Sequence, residues 1–230
     1  SVKATFFILG WVAERHSEMV RNIALAGHEI ATHGYGHQLV YDLTPEQFRE
    51  DLAQSLKLIR EMAGVECRGY RAPSFSIRRD MTWAWEILAA QGIEYDSSVF
   101  PVLHDRYGEP DAPREPYCIP AGRGSICEIP PSTVRLAGRN LPVAGGGYLR
   151  LFPYAVTRRA IRRINREGLA AVVYFHPWEI DPGQPRPPVS RLKLWRHRVG
   201  MQSFESKLRR LLSDFEFGPV EDVSAKSARS

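Results

Sequence analysis

Apolar residues follow two alternating rhythms along this chain. Lys3–Leu9 (KATFFIL) is β-branched and aromatic, which predicts a buried strand. The spacing then turns helical. Val20, Ile23 and Ala24 share one face between Ser17, a capping residue type, and Gly27. His28–Thr32 predicts a short strand. Thr44-Pro45-Glu46-Gln47 predicts a sharp helix start, with Thr as cap, Pro in the first turn and Gln three residues after the cap. Phe48, Leu52, Leu56 and Ile59 carry that helix's apolar stripe to Gly64. The cycle repeats with a strand over Cys67–Tyr70, a helix over Asp80–Gln91 and a strand over Ile93–Asp96. Pro101–Gly124, rich in Pro, Gly and charge, predicts a long surface insertion. Ile126–Ile129 and Thr133–Leu136 predict short strands, Ala170–Phe175 (AAVVYF) is the most strand-like run, and a last helix covers Phe204–Phe215. Alternating strands and helices point to an α/β fold with parallel strands, as a barrel or an open sheet.

Composition adds bounds. At 230 residues, 43% hydrophobic and 25% charged, the chain reads as one folded domain over residues 1–223 with a disordered tail at 224–230. No apolar run approaches the ~20 residues of a membrane-spanning helix, so no integral membrane segment is expected. The net charge of +5 is uneven: from Arg150 onward 16 basic residues face 8 acidic ones. That surplus could attract a polyanion. In Val156–Ile164, however, apolar residues recur at helical spacing and the arginines take the other face, which reads as a solvated helix surface. No nucleic-acid-binding module accompanies the charge, so no nucleic-acid partner is expected. Cys67, Cys118 and Cys127 include no CxxC pair. A Cys118–Cys127 bridge stays open, and so does the compartment, cytoplasmic or periplasmic/cell-envelope.

Three segments fall just after strands, where parallel α/β folds build their sites. Thr32-His33-Gly34-Tyr35-Gly36-His37 puts two imidazoles four residues apart; they are either metal ligands or packing histidines. In Gly69-Tyr70-Arg71-Ala72-Pro73-Ser74, Arg71 is either a fork for a carboxylate or part of a structural salt bridge. In Tyr174-Phe175-His176-Pro177-Trp178-Glu179, His176 is either a general acid–base group or a capping histidine.

The order of these motifs, with Tyr95-Asp96-Ser97-Ser98 between the last two, resembles the polysaccharide deacetylase family, the NodB-homology enzymes of carbohydrate esterase family 4. ATFFILGWVAERH followed by GHEIATHGYGH looks like that family's second strand, second helix and metal motif. GGGYLRLFPY and YFHPWEIDPGQPR look like its branch associated with exosortase and exopolysaccharide clusters. The resemblance implies a distorted (β/α) barrel that removes N-acetyl groups from the amino sugars of a polysaccharide, with a divalent metal, zinc. His33 and His37 would be two metal ligands and His176 the acid that protonates the leaving amine. Asp96 would tune His176, Arg71 would orient the base, and the Ser74 N–H would face the oxyanion. Trp178 and Tyr148 would wall the sugar site. The family's first strand, with its paired aspartates, is not matched here, so the chain is expected to lack the base and third ligand. A catalytically inactive carbohydrate-binding or accessory domain on the same scaffold is the alternative.

Overall fold

Strands and helices alternate from Thr5 onward in the computed structural model, which describes residues 2–104, 107–185 and 187–227. The chain forms two units, Ser1–Pro130 with Phe217–Ser230, and Pro131–Glu216.

The first unit opens on β1 (Thr5–Ile8), α1 (Gly10–Arg15), α2 (Ser17–Leu25) and β2 (Glu29–Thr32). β1 and β2 pair in parallel, Phe6 opposite Ile30, because the helices return the chain to the same end of the sheet. Then come α3 (Pro45–Ala63), β3 (Gly69–Tyr70), α4 (Thr82–Ala90), β4 (Tyr95–Asp96), β5 (Tyr117–Ala121) and β6 (Gly124–Glu128). The sheet order is β1-β2-β3-β4-β6-β5, parallel throughout except for β5, which is antiparallel to β6. The parallel α/β organisation expected from the sequence is present. The insertion expected over Pro101–Gly124 ends in β5, a strand its mixed composition did not announce. Cys118 stands opposite Cys127 across the β5–β6 hairpin, and the two thiols are not bridged.

Local chemistry explains the elements. Thr44 Oγ1 accepts the Gln47 N–H while Gln47 Oε1 accepts the Thr44 N–H at 2.8 Å, a closed capping box. Gly64, at φ +72°, ends α3 in the left-handed region. Between these signals Phe48, Leu52 and Ile59 are fully buried. Phe48 and Leu52 pack with Tyr70, Trp85, Leu88 and Ile126, and Ile59 packs with Ile8, Val20 and Ile30. Gly69 is required by a neighbour: a Cβ there would lie 2.1 Å from the Tyr95 ring, its partner across the β3–β4 pair.

In the second unit β7 (Thr133–Leu136) and β8 (Arg139–Pro142) form an antiparallel ribbon. α5 (Gly146–Leu151), α6 (Tyr154–Arg166), α7 (Arg191–Arg198) and α8 (Met201–Asp214) follow. On α6 Thr157, Ala160, Ile161 and Ile164 are buried; Arg159, Arg162, Arg163 and Arg166 are exposed, the division the sequence pattern implied. The strand expected over Ala170–Phe175 is reduced to one parallel bridge, Gly145 to Tyr174. A side chain replaces the missing neighbour: Val172 N donates to Ser132 Oγ at 2.8 Å, and Val172 O accepts from Ser132 N. A last helix, α9 (Glu221–Ser227), belongs to the first unit, where Val220 N donates to Thr5 Oγ1 at 2.7 Å. Of the tail expected to be disordered, residues 228–230 lie outside the described residues. No helix among the described residues is long and apolar enough to cross a membrane.

Candidate active site

His33 directly follows β2, and His37 lies four residues on in a loop that α3 shapes. Asp51 accepts the N–H groups of Tyr35 at 2.8 Å and Gly36 at 3.3 Å. One helical turn later Ser55 donates Oγ–H to Gly34 O and meets Thr32 Oγ1 at 2.8 Å. Gly34 is at φ +75°, and a Cβ on it would lie 2.6 Å from Asp51 Oδ2, so the motif's central glycine is a steric requirement. His37 itself takes φ +60°. The outcome is two imidazoles with centroids 5.3 Å apart, edge to face. His33 Nδ1 lies 2.6 Å from Arg71 O. A carbonyl only accepts, so Nδ1 carries the proton and Nε2 the lone pair a metal needs. This donor chemistry suits two ligands of a divalent ion. Among the described residues no cluster of three or more His, Cys, Asp or Glu side chains completes a metal set.

Arg71 leaves the end of β3, buried, with its guanidinium 4.3 Å from the Phe7 ring centre. Nε donates to Ser97 O at 3.0 Å and Nη2 to Ser97 Oγ at 2.7 Å, tying the ends of β3 and β4 together. The turn Pro73–Phe75 that follows holds two non-glycine residues in the left-handed region, Ser74 at φ +52° and Phe75 at φ +55°. Such conformations cost on the order of 1 kcal/mol or more each. Ser74 is exposed while its neighbours Pro73 and Phe75 are buried.

Asp96 ends β4, fully buried. It accepts Trp85 Nε1 at 3.0 Å and the Ser98 hydroxyl. Burial pushes its carboxyl up to about 6, against hydrogen bonds from Ser98, Glu128 and Trp85. Thus His33, His37, Arg71, Ser74 and Asp96 all lie at or after the C-terminal ends of β2, β3 and β4, neighbouring strands of one sheet.

The remaining candidates belong to the second unit. The His176 side chain is 58% exposed, with Nδ1 3.5 Å from Glu179 Oε2. Glu179 also accepts the His176 N–H at 2.8 Å and is paired at 2.9 Å with Arg150, both side chains buried. Burial raises the Glu179 carboxyl, but hydrogen bonds from His176 and Arg150 outweigh it and hold it below the usual range. Trp178 stacks with His197 at 4.5 Å and His176 at 5.8 Å, and Arg150 approaches its ring at 5.3 Å. Tyr148 is half-buried on α5, its phenol raised by burial.

Sequence reasoning missed Asp51, Ser55, Glu128, Glu179 and Arg150. Only Glu179 carried a signal, three residues after His176 at the start of a Pro-led turn.

Comparison with known proteins divides the chain near Asp96. The polysaccharide deacetylase family matches residues 1–95, and a domain of unknown function, DUF3473, matches residues 97–225. A peptidoglycan deacetylase of Helicobacter pylori is 34% identical over 96 residues, 42% of this chain and 32% of the relative. A peptidoglycan-N-acetylglucosamine deacetylase of Bacillus cereus is 32% identical over 87 residues, 37% of this chain and 32% of the relative. The aligned part therefore spans about a third of these curated relatives. A solved structure from Mycobacterium smegmatis, assigned as a polysaccharide deacetylase, superposes with a TM-score of 0.65 at 25% identity, covering 98% of this chain and 71% of that one. The chain belongs to the DUF3473 family through residues 97–225, and its residues 1–95 match the polysaccharide deacetylase family model.

Proposed function

We propose that this chain is the deacetylase part of a hydrolase that removes N-acetyl groups from amino sugars of a polysaccharide, an exopolysaccharide in the reading its C-terminal motifs suggest. The observation that carries the proposal is the histidine pair after β2, with the His33 tautomer set by Arg71 O, in a region matching polysaccharide deacetylases. His33 and His37 would hold a divalent metal, zinc by the nature of its imidazole donors. The chemistry such an ion would supply there is polarisation of the amide carbonyl and acidification of a water.

The chain's own residues have separate tasks. The Ser74 N–H, in its left-handed turn, is the donor proposed for the developing oxyanion. Arg71 fixes the β3 and β4 ends from which Ser74 and Asp96 project. His176 is the proposed proton donor to the leaving amine, its ring oriented by Glu179. Trp178 and Tyr148 are proposed contacts for the sugar. Two Trp178 neighbours, His176 and His197, stack on its ring, so a sugar would meet the aromatic group as a whole rather than a bare indole face.

One observation favours the alternative of an inactive accessory domain: two histidines without a third ligand among the described residues. A single experiment separates the readings. The full-length protein containing this chain is incubated with N-acetylated polysaccharide and zinc, and released acetate is measured. Acetate release abolished by His33→Ala supports the enzyme. Polysaccharide binding with no acetate release supports the accessory domain.

A further inference from the structure

Parallel register places Asp96 of β4 directly opposite Glu128 of β6, and both side chains are wholly excluded from solvent. Their hydrogen bonding is unequal. Asp96 accepts from Trp85 Nε1 and Ser98 Oγ. Glu128 accepts the Val99 N–H on Oε1 at 2.9 Å and feels the Ser98 N–H, while its enclosed Oε2 makes no hydrogen bond of normal geometry among the described residues. The Asp96 carboxylate lies within hydrogen-bonding reach of Glu128. Two buried anions in contact would repel, and an unpaired buried carboxylate neutralises rather than remain charged. A proton on Oε2 resolves both problems, because it turns the orphaned acceptor into a donor aimed at the neighbouring carboxylate.

We propose that Glu128 is the protonated member of this pair, donating Oε2–H to Asp96, and that it is a positioning residue holding Asp96 as a fixed, charged acceptor. The proposal rests on the deacetylase reading for its functional meaning, since Asp96 is a candidate site residue there, but not for the pair itself.

The surrounding groups agree. Tyr70 of β3 and Tyr117 of β5 lie near the pair, and burial, the largest influence on each, with the negative field of Asp96, keeps both phenols protonated. Asp51 adds to the field at Tyr70, and Arg79 and Glu109 act on Tyr117 in opposite directions. Arg71, on the neighbouring strand end, directs Nε and Nη2 to Ser97. From α4 the pair receives the neutral Trp85 N–H.

The test is the pH dependence of folding. Burial raises both carboxyls, Asp96 to about 6 and Glu128 well above its ordinary value. A folded-state value raised above the unfolded one gives stability at low pH that is lost as pH climbs through it. Wherever the folded wild type keeps the Glu128 proton that the unfolded chain has released, its folding constant falls by up to about tenfold per pH unit from this source. Glu128→Gln keeps an N–H donor for Asp96 but has no proton to lose. In denaturant titrations its slope is expected to be shallower than wild type by that factor; equal slopes would overturn the proposal. Should Glu128→Gln fail to fold, infrared spectra of the wild type decide. A buried carboxylic-acid carbonyl band is expected at pH 8, and its absence overturns the assignment. In acetate-release assays on the full-length protein, Glu128→Gln is expected to hold activity to higher pH than wild type. The folding slopes and the infrared band do not involve acetate, so an inactive wild type would strike the deacetylase reading alone.

Discussion

A carbonyl can only accept, so the approach of Arg71 O to His33 Nδ1 decides where that ring keeps its proton. Replacing either imidazole removes a lone pair that no third clustered His, Cys, Asp or Glu among the described residues replaces. His33→Ala and His37→Ala are each expected to lose zinc from the full-length protein, read as metal per protein after dialysis; unchanged stoichiometry in either would end the ligand assignment. Arg150 poses a different problem. It neutralises Glu179 in a buried pair and also donates Nη1 to the carbonyls of His197 and Val199. Removing one partner of such a pair costs about 3–5 kcal/mol, because the other charge stays buried. Arg150→Met should therefore lower the denaturant midpoint by several-fold more than Arg159→Met, whose side chain is exposed. At this scale the candidate residues stood out in the sequence because they sit in short motifs after strands. Their supports did not: Asp51 lies 16 residues from Tyr35, and Glu128 lies 29 residues from Val99, distances that only the fold closes.

Among elements, α3 was the most readable, because its signals are local and all agree. Cap, proline, reciprocal glutamine, apolar stripe and terminal glycine each concern neighbours within one or two turns. Thr44→Ala breaks the box at one end and is expected to cost about 1 kcal/mol, measured by urea unfolding. Because α3 also carries Asp51 and Ser55, a helix start out of place would reach the histidine loop as well as the core. Ala170–Phe175 shows the opposite case. Its composition is that of a strand, yet ladder formation needs a partner strand, and Ser132 with Ala144 supplies only scattered bonds. Composition reports what a segment tolerates; pairing depends on what lies beside it. β5 was missed for the converse reason, since its exposed, mixed residues gain their strand state from β6.

For the whole molecule, the two units carry buried carboxylates with opposite responses to pH. Glu179 is held below its ordinary value, so its contribution is complete above the normal glutamate range and disappears as acid titrates it. Asp96 and Glu128 are raised, so theirs is complete in acid and weakens as pH climbs through their raised folded-state values, about 6 for Asp96 and well above the ordinary glutamate range for Glu128. Stability should pass through a maximum in the weakly acidic range, with Glu179→Gln flattening the acid limb and Glu128→Gln the alkaline one. Thermal unfolding from pH 4 to 9 would show it, and a variant that flattened the other limb would contradict the assignment. The parallel α/β organisation behind this was legible from alternation alone. The division into Ser1–Pro130 with Phe217–Ser230 and Pro131–Glu216 was not, because no change of composition marks Pro130.

The β5–β6 hairpin also has a consequence in time. Every parallel pair of the sheet must wait for a crossover to close, whereas β5 and β6 are joined by a two-residue turn and can zip locally within microseconds. β6 would then reach β4 already paired on its outer side, and docking must strip water from Glu128 as it meets Asp96. Taking up a proton is part of that final closure, so the speed at which the sheet completes itself becomes a function of acidity.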